Sequence, residues 1–495
     1  MTFSADGTGH CNINYNSRHV NLTAEDYGSS DESKKHVIRF LGIMPSLDNS
    51  SEEAIKDWKS TLGSIIDIYN RSPLGKHYGT ILQMVDIFAK LTGMMSDHCA
   101  KEKKDATKLE ELKLEAVFQK LGEKEVLEKS TADLVPAFLK AYEHLVDKNG
   151  GKHKWETLSE SNQREQMYKM NEVLIIELGQ NAYEMLSDNE KRTLSLFIWA
   201  GCGCHKDLNT VHAGYIAMSK WWAEMKEKPP ISLANKDTDA FLQKIDLDKE
   251  LTPGQEKIIE NIPRGAVKAN YIAGSILNHK DDKKGYHDIF RSWWRKHKKT
   301  EFTFPDVSNN RFGTHCRASG EMLTEHTSLI QFLEYVKDGK QNKKFNHMEQ
   351  NLWNALHDIP TLTEMAVLAL YGQATSIPYM KKVRSEANMM TMGPFHQKVK
   401  DHIKRIIEDP GFLLGENESY EMGALDGYES DSPNVIQAVQ SWSPQLPCLK
   451  PLLVRFYEGA LATWERFTSE FAPGGLIDEA TIEEQTLLGC HAQMM

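Results

Sequence analysis

Near its start the chain alternates apolar and polar side chains; later, apolar residues recur at helical spacing. Phe3 to Asp6 and Ile13 to Leu22 read as two strands joined by a glycine-containing turn, and His36 to Met44 as a third. Ser50 to Asn70 changes period. Ile55, Trp58, Leu62, Ile65 and Tyr69 share one helical face, Ser50 or Ser51 is placed to cap it, and Glu52 and Glu53 fall in its first turn. A helix is predicted over Tyr78 to Lys90, and Leu91 to Ser96 is short enough for a strand ending at Asp97. Cys99 to Leu121 reads as a charged helix, and 123–170 adds more helix. Asn171 to Gly179 fits strand or helix, and its flanks favour helix.

The stretch LSLFIWAGCGCHKDLNTV, Leu194 to Val211, has a different pattern. Its apolar run reads as a short buried strand, Gly201 and Gly203 bracket a tight turn, and Leu208, Val211 and Tyr215 recur at helical spacing. Strand, turn and helix in that order present side chains at a sheet edge. Beyond it the pattern is helical. Ser219 to Glu227 is stopped by Pro229 and Pro230, and Asn235 to Ile262 holds two short helices. Further helices are expected at Thr327–Lys337, Phe345–His357, Thr361–Tyr371, Phe395–Glu408 and Leu449–Phe471. Acidic Thr23–Ser33 and Glu416–Pro433 read as loops. The expectation is an α/β chain dominated by helix: a mixed sheet from residues 1–100 and about 190–202, and a separate helical lobe from 206 to 472.

At 495 residues the chain is too long for one simple core. No apolar run reaches the roughly 20 residues of a membrane span. Seven scattered cysteines and no secretory signal argue for a reducing compartment. An intracellular protein, nuclear or cytoplasmic, with no membrane partner is expected. A net charge of −11 excludes a polycation, so DNA contact requires a local patch. Lys280 to Lys299 is the densest one. There Arg291, Arg295, Lys296, Lys298 and Lys299 suit phosphates, and Trp293 and Trp294 suit base stacking. The same pattern also fits a solvated helix face with two core tryptophans.

Two carboxylates, Asp6 and Asp97, end predicted strands. At neighbouring strand ends such a pair can hold Mg²⁺ or Mn²⁺ for phosphoryl transfer; Asp-Gly and Ser-Asp-His are equally turn sequences. Cys202, Cys204 and His205 carry zinc-ligand chemistry, which His315 and Cys316 could complete. Adjacent ligands at 204 and 205 space poorly, so a hydrogen-bonded Cys/His turn is favoured over zinc. There is no glycine-rich phosphate loop and no GxSxG elbow.

The motifs carry a resemblance. CGCHKDLNTV resembles the CxxH-x-LN motif of hAT-type transposases, with Cys202 and His205 in the Cys and His places. ADGTGHCNINYNSRHV resembles the strand of the family's first catalytic aspartate, which would be Asp6, and TGMMSDHCAKEKK the second, which would be Asp97. SNNRFGTHC resembles the Arg-Trp element of the helical insertion domain, with Arg311 kept and Phe312 in place of Trp. FNHMEQNLWNALHDIPTLTE and ALATWERFTSEFAPGGLI are similar to segments of transposon-derived hAT-like proteins of mushroom-forming fungi.

The resemblance implies a ribonuclease-H-like mixed sheet interrupted by a large all-helical insertion domain. It implies Mg²⁺- or Mn²⁺-dependent DNA cleavage and strand transfer, DNA as partner, and a homo-oligomer. It divides the chain into a first core part (1–105), a helical insert (106–189), the last core strand with the CxxH turn (190–212), the helical insertion domain (213–445) and a C-terminal helix with tail (446–495). Departures exist. The family's zinc finger normally precedes the first aspartate, where only five residues stand here. Its third acid lies in an SxxERxFS-type motif unlike anything before Met495. The long segment between Asp97 and Cys202 makes Glu177 a rival second acid. Glu458, Glu465 and Glu470 are expected to be solvated, and Glu483 and Glu484 to sit in a tail that little fixes. The resulting expectation is a protein truncated at both ends and inactive in strand transfer, or a non-catalytic nucleic-acid- or protein-binding module.

Overall fold

A computed structural model describes residues 1–10, 13–25, 34–46, 48, 50–225, 227–242, 244, 252–260, 262–278, 285–307, 312–385, 388–415 and 423–487. Five strands form one mixed sheet in the order β3-β2-β1-β4-β5. β1 (Thr2–His10) pairs antiparallel with β2 (Ile13–Glu25), and β2 with β3 (Lys34–Ser46). β4 (Gly93–Ser96) lies parallel to β1, and β5 (Ile198–Gly201) parallel to β4. Antiparallel neighbours can be joined by tight turns; parallel ones need crossovers, and the helices between 46 and 198 supply them. The parallel strands β4 and β5 are short and almost wholly buried, as strands covered on both faces should be.

Register sorts the side chains. Phe3, Met94 and Trp199 align on one face; Ser4, Met95 and Ala200 align on the other. The first face packs on the Ser51–Arg71 helix and its neighbours, where Phe3 stacks on Trp58 with ring centroids 4.4 Å apart and Val85, Phe88 and Leu109 complete the core. Ser50 caps that helix by accepting from the Glu53 N–H. Arg18 is buried on this face, its guanidinium over the Trp58 ring and 3.3 Å from Asp57. Ile198 and Ala200 on the second face meet Met390, Ile477 and Ala480.

The remaining helices form the larger core. Gly203–Met225 packs closely along Leu449–Phe467, where Gly214 faces the Phe456 ring and Gly459 faces Ala213 and Ala217. Ile359–Tyr371 runs through the middle, capped by Asp358 and buried from Thr361 onward. A short π-helical turn, Gly372–Ser376, follows it. This core reaches the sheet through Met95. Between β4 and β5 the long helices Ala100–Glu128 and Glu160–Glu184 cross with Gly122 against the Ile175 carbonyl and Gly179 against the Phe118 carbonyl. Among the described residues no helix is long and apolar enough to cross a membrane.

Several boundaries differ from expectation. β1 runs past Asp6 to His10 because β2 keeps pairing with it after β4 has ended at Ser96. The predicted Tyr78–Lys90 helix shrinks to Met84–Ala89, since Pro73–Tyr78 forms its own helix, ended by Gly79 at φ 63°. The apolar run from Leu194 is shared between the end of the Asp188–Ser195 helix and β5. Ser219 to Glu227 is not a separate helix but the end of Gly203–Met225. Asn171 to Gly179 is helical, as its flanks suggest. Arg311 lies outside the described residues.

Candidate functional site

β1 and β4 carry Asp6 and Asp97 to one place. Ser4 pairs with Met95; Asp6 lies two residues further along β1, and Asp97 follows β4 directly, one residue past its end at Ser96. The two aspartates line one cleft of about 220 Å³ together with Asn14, Asn16, Cys99, Lys101, Glu102 and His205. Asp6 is half-exposed, and its carboxylate lies 4.0 Å from His205 Nε2. The Asp97 carboxylate accepts from the His98 N–H at 2.5 Å.

His205 arrives from the other side of the cleft. The Cys202 N–H donates to the Ser96 carbonyl beyond the end of β5, and the Gly203–Met225 helix begins at once. The turn folds back on itself: Cys202 Sγ lies 2.9 Å from His205 Nδ1 and accepts from the His205 N–H. This is the hydrogen-bonded Cys/His turn expected from the residues. It fixes the imidazole with Nε2 toward Asp6. The neighbouring Cys204 thiol and burial push the Cys202 thiol well up. Cys316 is buried as well, and burial brings His315 down to about 4.

Glu102 and Lys101 come from the first turn of the Ala100–Glu128 helix. Lys101 Nζ is 3.3 Å from Glu102 and 2.9 Å from Asp105. Burial raises the Glu102 carboxyl despite that ammonium. Glu102 Oε2 and Asp105 Oδ1 are both buried without a hydrogen-bond partner.

Behind the cleft sits a buried ion pair that sequence reading missed. Lys206, fully buried, lies 2.5 Å from Glu470 Oε1, donates to the Phe467 carbonyl at 2.6 Å, and stands 3.0 Å from His98 Nε2. Burial pushes the Glu470 carboxyl up, but the Lys206 ammonium and His98 outweigh it and hold it at about 2. Burial lowers the Lys206 ammonium at the same time, while Glu470 raises it. Lys206 and His98 are chain neighbours of His205 and Asp97, so the pair fastens both sides of the cleft from below. A signal for Lys206 was present: it shares a helical stripe with Thr210, Gly214 and Met218, all inward-facing. Asp207 beside it is also buried; it accepts from the Ser376 hydroxyl at 2.7 Å, and burial raises it to about 6.

The other candidate residues fall elsewhere. Glu177 is exposed on the Glu160–Glu184 helix, two residues from Gly179, which faces Phe118. Phe118 is 16 residues along a continuous helix from Glu102, about 24 Å. Glu177 is therefore not brought to Asp6 and Asp97. Glu458 pairs with Arg455, and Glu465 faces Lys404; both are solvated as expected. Glu470 is not, because Lys206 draws it inward. Glu484 is not loose either: Arg192 grips it with two hydrogen bonds of 2.6 and 2.8 Å.

Of the basic stretch, 280–284 lies outside the described residues; His287–Lys298 forms a helix whose stripe of Phe290, Trp293 and Trp294 is core. The tryptophans are thus unavailable for base stacking: Trp293 stacks on His297, and Trp294 stacks on Phe302. Arg291 and Arg295 reach Glu301, and Lys298 reaches Glu325. Lys296 and Lys299 are exposed on the same helix.

A divalent cation needs hard oxygen donors, and Asp6, Asp97, Glu102 and the amides of Asn14 and Asn16 are of that kind. The partnerless Glu102 oxygen fits a cation role. As the side chains stand, no three of His, Cys, Asp and Glu among the described residues converge on one point. Comparisons with known protein families, with curated proteins and with solved structures find no match to this chain.

Proposed function

We propose that this chain is a transposon-derived protein, resembling a hAT-type DDE transposase, whose cleft binds a divalent cation and nucleic-acid phosphate but does not perform full strand transfer. One observation carries the reading: Asp6 on β1 and Asp97 just past the end of β4, far apart in the chain, line one cleft that His205 of the Cys-x-x-His turn also lines. The sheet order, with β2 alone antiparallel to both its neighbours and long helices inserted before and after β5, supports a ribonuclease-H-like origin.

In this reading Asp6 and Asp97 hold the cation, and His205 stands beside Asp6 to pass or hold a proton. When bound there, Mg²⁺ or Mn²⁺ supplies Lewis acidity toward a phosphate oxygen and lowers the pKa of a bound water. No glutamate of the C-terminal helix lines the cleft, which supports the absence of strand transfer. Mn²⁺ binding measured on the intact chain and on Asp6→Asn tests this; the substitution should weaken binding by at least about tenfold. Indifference to Asp6→Asn, or strand-transfer products from the intact chain on labelled DNA, would overturn it.

A second reading, a binding module without chemistry, is favoured by Lys101, whose ammonium already stands in the cleft. Both readings place phosphates on the outer face of the His287–Lys298 helix. Changing Arg295, Lys296, Lys298 and Lys299 together to Ala should reduce the salt dependence of DNA binding by about one unit of slope per phosphate contact removed. An unchanged slope would move the DNA path elsewhere.

A further inference from the structure

We propose that Cys202 and Cys204 form a dithiol site for reversible oxidation: Cys204 attacks a hydroperoxide, and Cys202 then closes a disulfide with it. The site belongs to the turn after β5 and is independent of what the cleft binds.

The two thiols of the CGC turn share a hydrogen bond. Cys202 is buried and stands just before the Gly203–Met225 helix, where its carbonyl accepts the Lys206 N–H; Cys204 lies in the first turn and is only partly buried. Residues two apart in helical geometry have Cα atoms about 5.4 Å apart, inside the span of about 4.4–6.8 Å that disulfides bridge. The backbone therefore already stands at bridging distance, and the more accessible sulfur is the one that a peroxide meets first.

The partners of the two sulfurs also differ. Cys202 Sγ is held by the His205 N–H and lies 2.9 Å from His205 Nδ1. The hydrogen bond with Cys202 lowers the Cys204 thiol against burial, and the Arg384 guanidinium adds to that lowering. Burial raises the thiols of Cys99, Cys316 and Cys448. Among the described cysteines, Cys204 is thus the one inclined to the thiolate, with a second sulfur beside it to resolve the product.

The chemistry balances with hydrogen peroxide as oxidant. Cys204 sulfur attacks one peroxide oxygen; an S–O bond forms, the O–O bond breaks, and the departing hydroxide leaves as water with the Cys204 proton. Cys202 sulfur then displaces hydroxide from the sulfenic acid; the S–S bond forms, the S–O bond breaks, and the Cys202 proton makes the second water. The thiols give up two electrons, and the peroxide gains them. With Gly203 alone between the cysteines the ring is small and strained, and a strained disulfide is readily reduced. Oxidation replaces the thiol that holds the His205 imidazole, so it alters a wall of the cleft.

The test treats the full chain with hydrogen peroxide, alkylates the remaining thiols and measures the mass of the peptide that spans both cysteines. Cys202 and Cys204 should escape alkylation together, with the loss of two hydrogen atoms, and dithiothreitol should restore both. Cys202→Ser should stop at the sulfenic acid of Cys204, captured by dimedone. Cys204→Ser should slow oxidation at Cys202 by at least about tenfold. Thermal melts confirm that each variant is folded; should either fail, the mass of the unsubstituted chain decides alone. A disulfide to any other cysteine, faster oxidation of the exposed Cys99, or dimedone capture at Cys204 in the unsubstituted chain without loss of the Cys202 thiol would overturn the proposal.

Discussion

Glu470→Ala is expected to lower the stability of the folded chain by about 3–5 kcal/mol, the usual cost of stranding one member of a buried ion pair. Lys206 is wholly buried, and among the described residues only the Phe467 carbonyl would remain as an oxygen partner for its ammonium. Lys206→Met should cost a similar amount by stranding Glu470. The double change Lys206→Met with Glu470→Leu should recover most of the loss, because an apolar pair needs no solvation. Urea unfolding of the four proteins measures this, and single variants within about 1 kcal/mol of the parent would show the pair to be unimportant.

The same pair gives a pH signature. Glu470 is held at about 2 in the folded chain against an ordinary value of 4.5. A carboxyl lowered by folding contributes stability that is complete above its unfolded value and disappears as pH falls through its folded one. Between about pH 4.5 and 2 roughly 3 kcal/mol should be lost on this account. Burial lowers His98 as well, which adds loss of the same sign as pH falls below its ordinary 6.5.

The second large effect concerns glycine. In an exposed helix interior Gly→Ala stabilises by about 1 kcal/mol. At Gly179 and Gly122 the sign should reverse. A Cβ at Gly179 would overlap the Phe118 carbonyl, and one at Gly122 would overlap the Ile175 carbonyl; both obstacles are backbone and cannot rotate away. The two long helices must separate, and about 3 kcal/mol, the upper end of ordinary overpacking, should be lost at either position. Hydrogen exchange across Glu160–Glu184 would report it as faster exchange, and unchanged protection in both variants would show that the crossing yields.

How far this could be read from the sequence depended on distance along the chain. β1, β2, β3 and the Trp58 face were legible because each pattern lies within some twenty residues. β4 and β5 were legible as short apolar runs bounded by turn residues. The meeting of Asp6 and Asp97 was suggested by their strand ends and their resemblance to a motif, but the pairing of β1 with β4 that brings them to one cleft is tertiary. The tryptophans of His287–Lys298 were open to two readings. The spacing of Phe290, Trp293 and Trp294 already marked a buried stripe, and charge density drew attention away from it. Glu470 was illegible for a plainer reason: no local rule tells a buried glutamate from a solvated one when its lysine is 264 residues away. Gly122 and Gly179 likewise looked like weak points in two helices, and only their crossing gives them a use.

The same separation along the chain has a consequence in time. Asp6 is made first, Asp97 and His205 much later, and Glu470 close to the last described residue. At ribosomal speeds of about 5–20 residues per second, roughly 25–90 seconds pass between the first aspartate and the glutamate that fastens the cleft from below. In the first part of that interval, before β4 (Gly93–Ser96) is made, the β2–β3 hairpin can form, yet the β1 edge that β4 will cover stays open to any other strand. In a cell, then, the sheet is exposed in turn, first at β1 until β4 is made and then at β4 until β5 (Ile198–Gly201) arrives, and a chaperone that shields these edges during synthesis would raise the yield more than one acting on the finished chain.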